Sequence, residues 1–386
     1  MTDVDLVIVG GGHAGHAAFA AYREAGGKGP VVLISEDEAA PYRRPPLSKG
    51  YLRGESGEDE LSFDSVEFYT VGDDELLLDD SVVSLDAGTR SIRTRAGREF
   101  TYQNCILATG GEPNTLPVTG GEKVPVLRWL AQARGIRDQA QSATSAVVVG
   151  SGFVGCEVAA SLAARGISVT MVSTEERPQL NRLGPDAADL ITKFLTDAGV
   201  TFHGETEVVD VKDGSIVELS DGTSLLADLV VAAVGISPRV ELAEQAGADI
   251  RNGRVVVDQQ MRTSVAGLFA VGDVALAFNT TAGRHLVVEH WANAEQMGKV
   301  AATTATGDTA EWGDAPGFFS QIGSHTLKYK AWGDGFDQSI AVRHENGGTT
   351  IWYVKDGVTV GVLTDDADDD FTRGADLVLE GAPSPV

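Results

Sequence analysis

Two glycine-rich strings carry the strongest chemical signal in the sequence. Gly10-Gly11-Gly12-His13-Ala14-Gly15 and Gly150-Ser151-Gly152-Phe153-Val154-Gly155 both follow the spacing G-x-G-x-x-G. In such a loop the first glycine makes a tight turn and the second lets a pyrophosphate approach the backbone. The third lets the following helix pack on its strand, and the phosphates then lie at the positive end of the helix dipole. Two copies in one chain predict two bound dinucleotides. Glu36, about 20 residues after Gly15, closes the next apolar run, where a carboxylate accepts both ribose hydroxyls of an adenosine and repels a 2′-phosphate. In the second copy the corresponding strand end reads as Ser173, which neither demands the hydroxyls nor rejects a 2′-phosphate. Arg177 could hold that phosphate and Glu175 would oppose it, so the choice stays open.

The elements around these loops repeat one design. Asp5–Val9 and Ala146–Val149 are short apolar runs leading into the glycines. A helical stretch to Arg23 and another from Cys156 to Ala164 follow, and then the apolar runs Val31–Ile34 and Val169–Val172. Both read as βαβ units. Residues 81–107 alternate as strands with a turn at Asp86-Ala87-Gly88, and residues 207–235 repeat that layout with a turn at Asp221-Gly222. From about residue 315 the pattern changes: Phe318-Phe319, Thr349–Val354 and Val358–Leu363 predict antiparallel strands, the last two joined at Asp356-Gly357.

Composition bounds the function. The 386 residues are 42% hydrophobic and 22% charged, as in an ordinary globular protein, so a disordered chain is excluded. Thirty basic residues against 56 acidic ones leave a net charge of −26, which argues against nucleic acid and anionic membrane surfaces and fits a salt-adapted or simply very soluble protein. Two cysteines without a CxxC pair exclude a disulfide scaffold and a redox-active dithiol of that type. The N-terminus lacks the basic region of a signal peptide. The apolar stretch Leu6–Tyr22 contains His13, His16 and several glycines, so no membrane span is expected there. The expected location is cytoplasmic. No spacing suggests a metal site, and no histidine is assigned a catalytic role.

Three further strings resemble one family. Thr263-Ser-Val-Ala-Gly-Leu-Phe-Ala-Val-Gly-Asp-Val274 resembles the second FAD fingerprint of two-dinucleotide-binding flavoproteins. Pro41-Tyr-Arg-Arg-Pro-Pro-Leu-Ser-Lys49 resembles the flavin-side segment of the ferredoxin, putidaredoxin and rubredoxin reductases, the non-thiol branch of the pyridine nucleotide-disulfide oxidoreductase superfamily. Glu289-His-Trp-Ala-Asn-Ala294 resembles the segment of that branch that covers the flavin. The resemblance implies that Gly10, Gly12, Ala14 and Gly15 hold the FAD pyrophosphate, Glu36 the adenosine ribose, and Gly272 with Asp273 the ribityl chain. It places Arg44 and Lys49 along FAD, Lys49 beside the ring where reduction develops negative charge. Val82 would touch adenine, Ala108, Thr109 and Gly110 would line the cleft, Arg128 would bind the cofactor and Trp291 would pack near the flavin. For NAD(P)H it implies Gly150, Gly152, Gly155, Gly235 and Glu289, with Glu157 near the nicotinamide, beside the Ser173 and Arg177 already read from the strand end. Lys49 and Glu157 are the implied catalytic residues. Where thiol branches carry a reactive cysteine this chain offers Ser48, and Cys105 and Cys156 read as packed small side chains.

The fold expected is α/β: two Rossmann-like dinucleotide-binding domains and a C-terminal α+β domain. Residues 1–112 and 240–312 would form the FAD domain, 113–239 an inserted NAD(P)H domain, and 313–386 the C-terminal domain. The resemblance implies a flavoprotein oxidoreductase that passes electrons from NADH or NADPH through FAD to a ferredoxin- or rubredoxin-like acceptor, as a monomer or homodimer. Two basic clusters, Arg43, Arg44, Lys49 and Arg53, and His325, Lys328 and Lys330, are candidate docking patches. The alternatives are an oxidase or a reductase of quinones or other small oxidants, and a redox-gated interaction protein resembling apoptosis-inducing factor.

Overall fold

Short valine-, leucine- and isoleucine-rich runs without polar alternation fold as parallel strands, because only a strand covered on both faces can bury every residue. The computed structural model describes residues 1–386, which divide into two compact units. The first comprises residues 1–44, 61–112 and 238–316; the second comprises residues 45–60, 113–237 and 317–386.

In the first unit, strands Glu75–Leu77, Val31–Ile34, Thr2–Val9 and Glu99–Leu107 lie side by side in parallel. Leu268–Ala270 pairs with the end of Glu99–Leu107. Register brings Val9, Ile34 and Leu107 level, and Ala270 beside Leu107. The segments that follow, Gly10–Gly15, Ser35-Glu36, Ala108–Gly110 and Gly272-Asp273, therefore all leave from one edge of the sheet. That carboxyl edge is where open α/β sheets bind ligands. Helix His13–Glu24 covers the sheet and packs closely on helix Trp291–Ala305 through alanines and Gly298, where a Cβ would overlap the Ala14 carbonyl.

The second unit repeats the plan. Val200–His203, Ser168–Val172, Ser145–Val149 and Leu229–Ala232 form a parallel sheet, with Val149 level with Val172 and Ala232. Its helix, Phe153–Ala164, starts three residues before the expected Cys156. The C-terminal residues form a five-stranded antiparallel sheet and helix Asp368–Glu380. Its tight turn at Asp356-Gly357 has positive φ at both residues (51° and 80°), as a two-residue hairpin of this kind requires. Ile322, Leu327, Tyr353 and Leu363 of that sheet share one core with Val148, Val158 and Ile191. The C-terminal piece and residues 45–60 thus group with the second nucleotide fold, which differs from the three-part division read along the chain. No helix is long and apolar enough to cross a membrane.

Candidate functional site

The first glycine loop divides its work as its spacing predicts. Gly10 has φ +117°, and a Cβ there would overlap the Ala108 carbonyl oxygen; a Cβ on Gly15 would overlap the carbonyl oxygen of Gly10. Both glycines are demanded by backbone packing. Gly12 is different: the nearest atom to a Cβ there would be the tip of Arg44, at 3.5 Å. Its exposed face is the cradle a pyrophosphate needs, so the residues present fit FAD. Gly272 (φ +74°) packs against Ala14 and Ala294 and brings the buried Asp273 to the same edge. Val82 opens an edge strand of this sheet.

Glu36 is oriented by a residue that sequence reasoning missed. Arg239 donates to its Oε1 (2.6 Å) and also pairs with Glu112, leaving Oε2 for a ligand. The Thr109 hydroxyl donates to the Arg239 carbonyl at 2.8 Å, and the Arg239 N–H to that of Gly110 at 3.0 Å, which ties the strand end to this arginine. His13 has a structural job. Its Nε2 accepts the Arg44 N–H (3.2 Å), so Nδ1 carries the proton and donates to Glu295 (2.8 Å). The half-buried Trp291 ring lies 5.5 Å from His13. Glu289 belongs to this first unit as well, exposed and ion-paired with Arg254.

The second loop has the same construction. Gly150 (φ +104°) faces the Ala233 carbonyl and Gly155 that of Gly150, so both exclude a Cβ, whereas the nearest atom to one on Gly152 would be Gln179 Nε2, 3.9 Å away. Gly235 (φ +95°) stands after its strand as Gly110 does in the first unit. These residues fit a second dinucleotide.

Behind this loop lies a buried charged cluster. Glu157 and Lys49 are 4% and 9% exposed, and Oε2 of Glu157 pairs with Lys49 Nζ at 2.7 Å. The Ser48 hydroxyl donates to the same oxygen (2.5 Å) and the Ser320 hydroxyl to Oε1 (2.7 Å). Lys49 also donates to the Pro45 carbonyl (3.1 Å), and Ser161 donates to that of Ser48 (2.7 Å). Desolvating two charges is tolerable only with such saturation. The sequence marked Lys49 and Glu157 separately; their pairing, and the service of Ser48 and Ser320, emerge only in three dimensions. Arg128 belongs to this second unit, its backbone N–H bonded to Gln132 Oε1 (2.7 Å).

At the strand end, Ser173 is buried with its hydroxyl 2.7 Å from that of Ser151. Register corrects the equivalence read from the sequence. Ile34 is level with Val9 and Val172 with Val149, so Ser173 matches Ser35, and Thr174 takes the place of Glu36. Arg177 is held by Asp189 (2.5 Å) and Glu176 (3.6 Å).

Burial pushes the thiols of Cys105 and Cys156 well above the usual range, so neither is poised as a nucleophile. Several cations of the two basic clusters have local partners: Arg43 the Ser62 carbonyl (2.6 Å), Arg53 Glu55 (2.8 Å), Lys328 Asp368 (2.6 Å) and His325 Asp365 (3.0 Å).

Comparison with known proteins agrees with this construction. A family model described as pyridine nucleotide-disulphide oxidoreductase matches residues 4–298. The chain is similar to a rubredoxin-NAD(+) reductase of Pseudomonas putida, 34% identical over 84% of this chain and 85% of that one. It is 31% identical to a putidaredoxin reductase of the same organism, over 87% of this chain and 82% of the relative. Among solved structures, a covalent putidaredoxin reductase–putidaredoxin complex superposes with a TM-score of 0.92 at 29% identity, covering 99% of this chain and 94% of that one.

Proposed function

The chain belongs to the pyridine nucleotide-disulphide oxidoreductase family, and from that premise we propose that it is an FAD-dependent reductase drawing on NADH or NADPH and delivering electrons to a ferredoxin- or rubredoxin-type iron–sulfur protein. The observation that carries this is the duplicated cradle: two strand–glycine loop–helix sites of one construction, each with its second glycine open. FAD, when bound, supplies the chemistry of accepting a hydride and releasing its two electrons singly. The chain's own residues bind and orient. Gly12 and Glu36 fit the pyrophosphate and ribose of one nucleotide, and Gly152 fits the pyrophosphate of the other. The Glu157–Lys49 pair holds a fixed cation whose ammonium cannot wander, because it is tied to Glu157 and Pro45.

With Ser48 in place of a thiol and both cysteines buried, the chain has no sulfur relay, which supports delivery to an external acceptor. The printed names of its relatives supply the acceptor class. We place the protein in the cytoplasm, where its nucleotide donors are held. The test is anaerobic mixing of FAD-loaded protein with NADH and, separately, NADPH, followed at about 450 nm where oxidised flavin absorbs. Bleaching followed by recovery on adding ferredoxin or rubredoxin is the expected result. Bleaching with recovery only on adding quinone or oxygen would replace the acceptor, and no bleaching would overturn the reductase reading.

A further inference from the structure

The second nucleotide site lacks an acid where the first has Glu36, yet an acid lies one residue further on. Ser35 and Ser173 each accept, through the hydroxyl, the N–H two residues ahead: that of Asp37 at 3.2 Å and of Glu175 at 3.1 Å. The uncharged, exposed Thr174 therefore stands in the position of Glu36. Glu175 turns its carboxylate back onto the glycine loop. Oε2 accepts the Ser151 hydroxyl (3.0 Å) and the Gln179 N–H (3.1 Å), and Oε1 accepts the Asn181 N–H (3.0 Å). Ser151 is the residue between the first two glycines of that loop, and its carbonyl accepts Gln179 Nε2 (3.2 Å), the atom that also borders the open face of Gly152. Three donors thus fix one negative charge against the cradle, with capacity left on Oε1 to accept a ribose hydroxyl.

A cation of this strand end that could reward a 2′-phosphate is already paired. Arg177 is engaged by Asp189 and Glu176. Glu205, whose N–H donates to the Glu175 carbonyl at 3.1 Å, adds a further acid to the same strand end. A site discriminates by building repulsion against the wrong ligand as well as attraction for the right one, and this one holds a pinned carboxylate and a sequestered arginine.

We propose that Glu175, anchored by Ser151, Gln179 and Asn181, makes this protein select NADH over NADPH, with Arg177 held out of reach by Asp189. The proposal rests on the reading of the second loop as the pyridine nucleotide site. Binding tests it without turnover: calorimetric titration of the full-length FAD-loaded protein with ADP-ribose and with 2′-phospho-ADP-ribose, for wild type, Glu175→Gln and Asp189→Asn. The wild type should favour ADP-ribose by roughly 30-fold or more, since like charges in contact are strongly disfavoured. Glu175→Gln should narrow that ratio at least about tenfold, mostly through tighter binding of the 2′-phosphate compound. Asp189→Asn, at an exposed helix position that needs no repacking, should narrow it a few-fold by freeing Arg177. Equal wild-type affinities, or a ratio unchanged in both variants, overturn the role of Glu175 while leaving the nucleotide site standing. Failure of both compounds to bind wild-type protein overturns the site and the proposal together.

Discussion

Replacing Glu157 with glutamine removes the counter-charge of Lys49 at almost unchanged volume. In the native protein the ammonium is 2.7 Å from Glu157 Oε2, and both side chains are largely buried, 11% and 6% exposed. Glutamine keeps one carbonyl oxygen, which can face either Ser48 and Lys49 or Ser320, but it brings no negative charge to the ammonium. Lys49 is then left with neutral partners, among them the Pro45 carbonyl and the Ser48 hydroxyl. Stranding one member of a buried pair costs about 3–5 kcal/mol. In a cooperative unit of roughly 200 residues each kcal/mol lowers Tm by about 2–4 °C, so the expected fall is on the order of 6–20 °C. Thermal and urea unfolding of the FAD-loaded protein, followed by circular dichroism, would measure it. The double variant Lys49→Met, Glu157→Gln should recover most of the loss, because an apolar isostere of a buried ion pair is often nearly neutral. A cost below about 1 kcal/mol for Glu157→Gln, or a double variant no more stable than the sum of the singles, would refute the claim that the two charges are mutually dependent.

The glycines separate folding from binding: Gly12→Ala should leave Tm within a few degrees of wild type but lower the FAD bound per chain, whereas Gly15→Ala, whose methyl meets the Gly10 carbonyl, should destabilise the fold itself. Hydrogen bonds from Thr144 and Ser145 hold the exposed Asp228 carboxyl down at about 2 against an ordinary 3.8. A carboxyl depressed in the folded state stabilises above its unfolded pKa, so its contribution should be complete above about pH 5 and fade as pH falls through about 2; urea unfolding of wild type and Asp228→Asn should show the full stability difference at pH 6 and roughly half of it at pH 3. With a net charge of −26 and several patch cations matched by neighbouring acids, reduction of an acidic ferredoxin should accelerate as ionic strength rises to about 150 mM and long-range repulsion is screened. A rate that falls with salt would restore the basic patches as the docking surface.

What the sequence disclosed and what it concealed follow from the range of the interactions involved. Gly10, Gly12 and Gly15 are legible because their constraint is local: a positive φ, an open face and a close helix contact recur at fixed spacing. Glu36 was legible for the same reason, but Arg239, which aims it, comes from a segment 203 residues away, and no local pattern announces such a partner. Ser173 reads along the chain as the strand end, but equivalent positions are set by hydrogen-bonded register. The two helices are equally long while the connections from them to the next strands are not, so Thr174 rather than Ser173 answers to Glu36. The basic clusters show the same limit: proximity along the chain revealed the cations but not an acid brought beside one of them from a distant element, Asp368 at Lys328.

The two cradles also show how one loop position sets the chemistry of a strand end. A Cβ on Gly11 would lie 2.6 Å from the Ser35 hydroxyl oxygen, so in the first unit that position is tight as built, and the carboxylate of Glu36 is bonded by Arg239. In the second unit the same position is Ser151, whose hydroxyl meets Ser173 at 2.7 Å and Glu175 at 3.0 Å. A side chain there converts the loop from a bare turn into a hydrogen-bonded platform, and the acid that answers it is the one that can fold back, a residue beyond the register of Glu36. The position of the charge at the strand end is thus specified jointly by loop and strand end, and comparing either alone between the two halves of this chain would miss it.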